Sequence, residues 1–241
     1  IYNRELSSVF DLDRMPLFRT VLIKLADEEY ELLFNMHHIL TDGWSMEVLK
    51  DEFNRIYDAY KNGKPLDMKP LEIQYKDYVA WQNRFLADKE KIEEIKGFWK
   101  GYLGGTIPVL NLPYDYTRNP GSTASSAYRW VVPGALADRL RELAVNHHAS
   151  LFMVLLAGFS IFLSRVTAQE EIILAVPAAA RQHDALKNIV GFFVNTLILR
   201  NKLDKEESFI DFFKPFRDSV FKVLDYQAIP LELICSELRI K

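Results

Sequence analysis

The sequence predicts a mixed fold of the α/β (α+β) class in two parts, on two observations. Apolar runs of strand length alternate with runs at helical spacing through both halves of the 241 residues. A stretch rich in Pro, Gly, Ser and Thr interrupts this alternation between residues 104 and 127. We therefore expect a first domain over 1–113, a connector over 114–127 and a second domain over 128–241.

The first part predicts a hairpin followed by three helices. Residues 17–25 and 30–36 are β-rich runs joined by a short acidic turn, and they are apolar enough that at least one strand is expected to be central in a sheet. Helical spacing follows over 44–60, 73–86 and 92–103, and glycines mark the ends of the first and last of these helices.

The second part predicts three strands and four helices. Pro133 is placed to open the first helix, and the run over 151–166 is apolar enough to be buried on nearly all sides. The predicted strands are 128–132, 172–176 and 192–199, and the predicted helices are 133–148, 151–166, 209–226 and 231–238.

The composition excludes several classes of protein. Apolar residues make up 49% and charged residues 26%, as in an ordinary globular protein, which excludes a disordered chain. The net charge of -3 argues against a nucleic-acid or membrane partner. Cys235 is the only cysteine, which excludes an intrachain disulfide and a multi-Cys zinc site and favours a reducing, cytoplasmic location. No apolar run reaches the ~18 residues of a membrane span.

A histidine pair lies between the second predicted strand and the helix that follows it. A neutral imidazole of His37 or His38 can take up a proton and return it, and the helix N-terminus nearby favours the neutral form. Asp42 or Thr41 is expected to cap that helix. Gly43 is expected to allow a tight turn or a positive φ.

The same residues also have a purely structural interpretation. Two adjacent histidines can be one packed and one exposed side chain, and Asp-Gly before a helix can serve only as a cap. A metal site is disfavoured because no Glu or third His lies at ligand spacing. The second pair, His147 and His148, ends a predicted helix and is interpreted as structural.

Four motifs then carry a resemblance to a known family. Residues 36–45, MHHILTDGWS, resemble the HHxxxDG signature of condensation domains from nonribosomal peptide synthetases, which a wider superfamily with chloramphenicol acetyltransferase shares. YKDYVAW at 75–81, VGFFVNT at 190–196 with Arg200, and YQAIPLE at 226–232 resemble further motifs of the family, in its order. The resemblance runs through nearly the whole chain. It implies a chloramphenicol acetyltransferase-like sandwich of two lobes.

The chain also departs from the family's pattern. An RHExLRTxF-type motif before His37 and a late RDxSRxPL-type motif have no counterpart. In the PxxGR stretch, PAAAR at 177–181 places Ala180 where the family has glycine. The chain therefore resembles the end of the N-terminal lobe plus the start of the C-terminal lobe, and activity is expected of the complete domain.

The resemblance implies amide bond formation between two thioester substrates. An aminoacyl group on a downstream peptidyl carrier protein attacks an acyl or peptidyl thioester on an upstream one, both on 4'-phosphopantetheine arms, beside an adjacent adenylation domain. No intrinsic cofactor or metal is implied. The resemblance places His38 at the centre of a tunnel that the two arms enter from opposite faces, where it is expected to orient the amine and relay a proton. A strong base is not required there, because an α-amine with a pKa of about 8 is already partly neutral near pH 7.

The resemblance and the chemistry assign supporting roles around His38. Asp42 is expected to pair with Arg181 of the second domain, because a buried carboxylate needs a partner. The N–H of Gly43 is expected near the developing oxyanion. His37 is expected to pack, and Asn195 to support the loops or line the tunnel. The motif side chains expected mainly in core packing are Tyr75, Tyr78, Trp81, Phe192, Phe193 and Pro230.

Three alternatives remain open at this stage. They are an epimerisation domain of the same superfamily, an acyltransferase that uses CoA thioesters, and a non-catalytic fragment that only docks carrier proteins. A heterocyclisation domain is disfavoured, because its DxxxxD replaces the histidine pair. Within condensation domains, the YKDYVAWQ and GFFVNTLILR segments favour the subtype that takes a D-configured upstream residue.

Overall fold

Contacts along the chain divide it into two compact units. The computed structural model describes residues 1–117, 121 and 125–238. Unit 1 comprises Ile1–Asp88 and Ala179–Asn195, and unit 2 comprises Lys89–Ala178 and Thr196–Lys241. Residues 118–120 and 122–124 of the predicted connector, and 239–241 of the predicted second domain, lie outside the described residues.

This division differs from the predicted one, in which a connector over 114–127 separates the two domains. Trp99 and Leu103, in the last helix of the predicted first domain, are almost fully buried, and the ring of the neighbouring Phe98 stacks on Tyr226 of unit 2 with centroids 3.9 Å apart. Residues 179–195, in the predicted second domain, belong to unit 1. A shift in composition marks a connector, whereas side-chain packing decides which unit a segment joins.

Unit 1 contains one hairpin and three helices. Strands β1 and β2 pair antiparallel, with Phe18 opposite Met36 at one end and Ala26 opposite Glu29 at the other, so the predicted hairpin is confirmed. A short helix of six residues that the sequence did not predict precedes them. The elements are α1 (Tyr2–Ser7), β1 (Phe18–Ala26), β2 (Glu29–Met36), α2 (Gly43–Lys61) and α3 (Tyr75–Ala87).

The prediction that one hairpin strand is central is wrong for the part of the chain that the structure describes. There β1 and β2 form a sheet of two strands. Apolar side chains on both strands stay exposed, among them Leu22 at 65% and Phe34 at 40%. The hydropathy of a strand indicates how much burial its side chains favour, and it does not identify the segment that covers them.

Unit 2 packs helices around a second pair of strands. Its core contains Trp99, Ile172, Phe213 and Val223, all nearly inaccessible to water. Strand β3 pairs with β4, whose first residue is counted with unit 1. The elements are α4 (Lys89–Leu103), α5 (Gly134–Asn146), α6 (Leu151–Thr167), β3 (Glu171–Ala178), β4 (Asn195–Lys202), α7 (Phe209–Asp225) and α8 (Leu231–Leu238).

Side chains of unit 2 hydrogen-bond to the backbone of the segment that follows α4, at residues 104–109. Arg200 donates to the carbonyls of Gly104 at 2.6 Å and Thr106 at 3.1 Å, and its Nε forms an ion pair with Glu171 at 2.6 Å. The amide of Gln169 donates to the carbonyl of Val109 at 3.0 Å. Two side chains thus hold backbone that has no regular secondary structure of its own.

Two predicted strands differ from the structure. Residues 128–132 form no strand, and Tyr128 is 93% exposed, because β-branched and aromatic residues form a strand only when a partner accepts their backbone hydrogen bonds. The strand predicted to start at 192 begins at Asn195. The backbone amide of Phe193, two residues earlier, bonds to Asp42 instead of to another strand.

Helix α6 is buried on one face only, so the prediction of nearly complete burial is wrong. Met153, Val154 and Leu163 face the core, whereas a stripe at alternating spacings of three and four residues is 40% to 57% exposed. That stripe consists of Phe152, Leu155, Phe159, Phe162 and Val166.

Among the described helices, no single one has the length and apolar character to cross a membrane. Helices α5 and α6 meet these criteria only as a pair, and the pair is bent by 104°.

Candidate functional site

The histidine loop begins where β2 ends. The N–H of His37 continues the ladder to the carbonyl of Leu17 at 2.9 Å, and residues His38–Leu40 then form a 3-10 turn. The Nδ1 of His37 accepts the N–H of Ile39 at 3.1 Å, which caps this turn. The ring of His37 also packs edge-on against Phe10, with centroids 6.1 Å apart. His37 therefore holds the loop in shape.

His38 is exposed and is held on one side of its ring. Its Nδ1 lies 2.5 Å from the carbonyl oxygen of Thr41. A carbonyl oxygen only accepts, so the hydrogen bond assigns the proton to Nδ1 and leaves a lone pair on Nε2 in the neutral ring. The ring lies edge-on to Phe192, with centroids 5.4 Å apart and an interplanar angle of 83°.

Asp42 caps α2 and is the centre of a buried polar cluster in unit 1. Its Oδ1 accepts the N–H of Ser45 at 2.8 Å, the cap that the sequence predicted. Its Oδ2 accepts the N–H of Phe193 at 3.0 Å. The guanidinium of Arg181 lies 3.2 Å from Oδ1, with the side chains of Asp42 and Arg181 only 5% and 1% exposed. The predicted pair is therefore present.

The pair lies within one unit, because Arg181 belongs to the segment Ala179–Asn195 of unit 1 and not to a separate second domain as expected. Nη1 of Arg181 donates to the carbonyls of Leu186 at 2.5 Å and Ile189 at 2.6 Å. Its guanidinium also lies over the ring of Phe193, 3.9 Å from the centroid. A single side chain thus shapes the backbone of residues 186–193.

Ser45 completes the cluster, a role that was not predicted from the sequence. Its Oγ accepts from Nη2 of Arg181 at 2.6 Å and from the N–H of Gly191 at 3.1 Å, and it donates to the carbonyl of Gly191 at 2.8 Å. Ser45 is fully buried. Its position three residues after a capping aspartate was the available signal, because side chains in the first helical turn lie beside the cap.

Hydrogen bonds lower the pKa of Asp42. Burial by itself would raise the pKa, because it disfavours the charged form. The hydrogen bonds from Ser45 and Phe193 and the positive charge of Arg181 outweigh burial, so the pKa of the Asp42 carboxyl lies below its ordinary value. Asp42 is therefore ionised at neutral pH and suited to hold structure rather than to transfer protons.

Gly43 and Asn195 lie at element ends. Gly43 is the first residue of α2 and has no acceptor for its N–H within the helix. Its φ is outside the left-handed region, so the positive φ that the sequence allowed for is absent, and an added Cβ would meet nothing within 4 Å. Asn195 is half-buried and begins β4.

Ala180 has a left-handed backbone, with φ of 48°. This is the position where the family's pattern has glycine and this chain has alanine. A Cβ in that conformation crowds the following carbonyl. The backbone turns in this way directly before Arg181, whose guanidinium lies 3.2 Å from Asp42.

No three His, Cys, Asp or Glu side chains lie close enough together to hold a metal ion in the described part of the chain.

The mixed helix and strand fold and the histidine loop are those expected of the HHxxxDG superfamily. Comparison of the sequence with known families then identifies the family. A family model described as "Condensation domain" matches residues 1–241. The chain therefore belongs to the condensation domain family of nonribosomal peptide synthetases, as the motifs predicted.

Relatives in large synthetases support this assignment. The chain is 39% identical over 233 residues to surfactin synthase subunit 1 of Bacillus subtilis (strain 168), covering 96% of this chain and 6% of that protein. It is 37% identical over 230 residues to bacitracin synthase 3 of Bacillus licheniformis, covering 95% of this chain and 4% of that protein. The chain thus spans a small part of these relatives.

Solved structures confirm the predicted chloramphenicol acetyltransferase-like fold. The SgcC5 protein of Streptomyces globisporus matches with a TM-score of 0.81 and 26% identity, over 97% of this chain and 52% of that one. The first condensation domain of the calcium-dependent antibiotic synthetase matches with a TM-score of 0.81 and 22% identity, over 98% and 52%. The chain spans about half the length of these structures.

The Asp42 cluster predicts a defined dependence of stability on pH. Because the folded pKa of Asp42 is depressed, its ion pair contributes fully above the unfolded value of about 3.9 and is lost as the pH falls through the folded pKa. Asp42→Asn should lower the free energy of unfolding by about 3 kcal/mol near pH 7. Urea unfolding should show this difference shrinking below about pH 4. A difference that stays constant down to the lowest pH would contradict the assignment.

The backbone at Ala180 predicts a stabilising substitution. Ala180→Gly removes the left-handed penalty of about 1–2 kcal/mol but adds freedom to the unfolded chain, for a net gain of about 0.5–1 kcal/mol. Ala179→Gly is the matched control, because Ala179 lacks a positive φ, and it should lose a similar amount. Urea midpoints measure both variants. A gain of stability for Ala179→Gly together with a loss for Ala180→Gly would contradict the prediction.

Proposed function

We propose that this chain supplies the catalytic histidine loop of a domain that forms an amide bond between two carrier-bound substrates. The donor is an upstream acyl or peptidyl thioester, and the acceptor is a downstream aminoacyl thioester. The observation that carries the proposal is the placement of His38, which is exposed and has its Nδ1 2.5 Å from the carbonyl oxygen of Thr41, so that Nε2 is left for the substrate. Membership of the condensation domain family supplies the reaction class.

His38 acts at Nε2. The acceptor α-amine has a pKa of about 8, so a useful fraction is neutral near pH 7 and needs orientation more than deprotonation. As the amine nitrogen attacks the thioester carbon, the C–N bond forms and Nε2 accepts the surplus proton of the nitrogen. The C–S bond then breaks, and the proton passes to the departing thiolate of the upstream arm, so His38 returns to its starting state.

The first turn of α2 lies next to this histidine loop in the sequence. Asp42 takes the N–H of Ser45, whereas the N–H groups of Gly43 and Trp44 have no acceptor within the helix and favour negative charge. We assign the N–H of Gly43 to the oxyanion of the tetrahedral intermediate. An open space at its Cβ position supports the assignment, because the backbone there is approachable by a ligand.

The remaining assignments are scaffold. His37 caps the 3-10 turn through its Nδ1, and the Asp42–Arg181 pair holds residues 186–193 against the first turn of α2. Asn195 is assigned to loop support at the start of β4. Each of these side chains sets the place of another group and touches no reacting atom in this proposal.

Carrier proteins and an adenylation domain are the proposed partners. The relatives are synthetases of which this chain would form a small part, which supports a neighbouring place for such domains. The phosphopantetheine arms belong to the upstream and downstream peptidyl carrier proteins, so no cofactor is assigned to this chain. A cytoplasmic location, and a D-configured upstream residue, stay predictions from the sequence.

The experiment is a condensation assay with the full-length protein that contains this chain. His38→Ala should lower the single-turnover rate by roughly 10²-fold or more, because the proton relay at Nε2 is lost. The product from loaded upstream and downstream carrier proteins is measured by mass spectrometry. Wild-type product formation by His38→Ala would sink the proposal.

His37→Ala is the matched control for this experiment. It removes the adjacent imidazole and the cap on the 3-10 turn, so we expect a loss of stability of about 1 kcal/mol and a much smaller loss of rate than for His38→Ala. Gly43→Ala is measured in the same assay. We expect it to leave the fold unchanged, because the added Cβ would meet nothing within 4 Å. Product with CoA thioesters alone, an inverted α-carbon, or carrier binding without turnover would each support one of the three alternatives.

A further inference from the structure

The ring of Tyr75 occupies the side-chain position of Gly191. A Cβ built on Gly191 would lie 2.2 Å from Cδ2 of Tyr75 and 2.6 Å from Cε2, far inside van der Waals contact. A residue with any side chain at 191 would displace the ring. Tyr75 is the first residue of α3, so this helix places an aromatic ring directly on the backbone of the 186–193 segment.

The hydroxyl of Tyr75 holds the next residue of that segment. It donates to the carbonyl of Phe192 at 2.7 Å. Burial raises the pKa of Tyr75, and the negative charge of Asp42 adds to this, so the hydroxyl stays protonated and remains a donor. The ring at Gly191 and the hydrogen bond at Phe192 together fix two consecutive peptide groups.

Phe192 links this anchor to His38. Its carbonyl bonds to Tyr75, while its side chain, 39% exposed, lies edge-on to the imidazole of His38 at 5.4 Å. Such edge-on ring pairs are favourable by about 0.5–1.5 kcal/mol. The carbonyl of Thr41 holds the other side of the imidazole. The imidazole of His38 is thus held by the carbonyl of Thr41 and by the ring of Phe192.

We propose that Tyr75 is a positioning residue for His38 and acts through Phe192. The inference rests on the proposed function of His38 and goes beyond it, since the sequence assigns Tyr75 and Phe192 only to core packing. Loss of the Tyr75 hydroxyl frees the Phe192 carbonyl. The Phe192 ring then no longer restrains the exposed imidazole, and Nε2 meets the substrate in the productive orientation less often.

The first test compares two tyrosines of α3 in the full-length protein. Tyr75→Phe keeps the ring on Gly191 and removes only the hydrogen bond, so the single-turnover rate at saturating carrier proteins should fall about five- to tenfold. Tyr78→Phe is the control, because it keeps the ring that packs on Phe193, with centroids 4.6 Å apart, and removes only a hydroxyl that accepts from Gln82 at 3.3 Å. Tyr78→Phe should stay within about twofold of wild type. Equal rates for the two variants would overturn the inference.

A double variant tests whether the effect passes through Phe192. Phe192→Leu removes the ring contact with His38 and keeps the backbone carbonyl that Tyr75 binds. If Tyr75 acts through that ring, Tyr75→Phe should cost little further rate in the Phe192→Leu background. Two losses that multiply independently would show that Tyr75 acts elsewhere, and the inference would be withdrawn.

The state of the imidazole itself separates this inference from the proposed function. Nitrogen-15 NMR of the His38 ring should show shifted and broadened ring signals in Tyr75→Phe and Phe192→Leu relative to the wild type, because the ring of Phe192 no longer restrains the imidazole, with Tyr78→Phe unchanged. Unchanged His38 signals in Tyr75→Phe would overturn the inference, whatever reaction the protein catalyses. A wild-type rate for His38→Ala would overturn the proposed function. The NMR result would then still test whether Tyr75 positions the His38 ring.

Discussion

The buried ion pair between Asp42 and Arg181 is the interaction on which the rest of the site depends. The two side chains are 5% and 1% exposed, and the cost of removing such charges from water is several kcal/mol for each ion. Hydrogen bonds offset that cost on both partners. Asp42 accepts from two backbone amides, and Arg181 donates to two backbone carbonyls and to Ser45.

Most hydrogen-bond partners of Asp42 and Arg181 are backbone groups. The ion pair therefore stabilises the backbone conformation around it as well as joining the two side chains. Asp42 is bonded at the same time to the first turn of α2 and to Phe193, so these two pieces of unit 1 hold one arrangement. Phe192 precedes that bonded amide and carries its ring to the edge of His38. The placement of the imidazole thus follows from a polar cluster that takes no part in proton transfer.

The sequence could predict the features that follow from spacing along the chain. Hydrophobic periodicity predicted the hairpin and the described α-helices apart from α1. The need of a buried carboxylate for a partner, together with the resemblance of residues 177–181 to the family's PxxGR stretch, predicted the pairing of Asp42 with Arg181. The histidine pair marked the loop, although spacing alone could not assign the opposite hydrogen-bonding roles of the His37 and His38 rings.

Features that depend on contacts between distant segments could not be predicted. Nothing near Ser45 or Tyr75 in the chain indicates that each meets the backbone at 191–192, more than a hundred residues away. The predictions of a buried α6 and of a strand at 128–132 failed for the same reason. Composition indicates which side chains favour burial and not which segment covers them. The two units differ from the predicted domains since segment 179–195 joins unit 1 by hydrogen bonds that only the folded backbone shows.

Backbone amide hydrogen exchange at Phe193 tests the central claim most directly. In the wild type this amide should be protected, because it donates to Asp42 inside the buried cluster. In Arg181→Met it should lose that protection together with the amide of Gly191, whereas Leu22 in the β1–β2 hairpin should exchange as before. Full protection of Phe193 and Gly191 in Arg181→Met would contradict the account, because the segment would then hold its place without the ion pair.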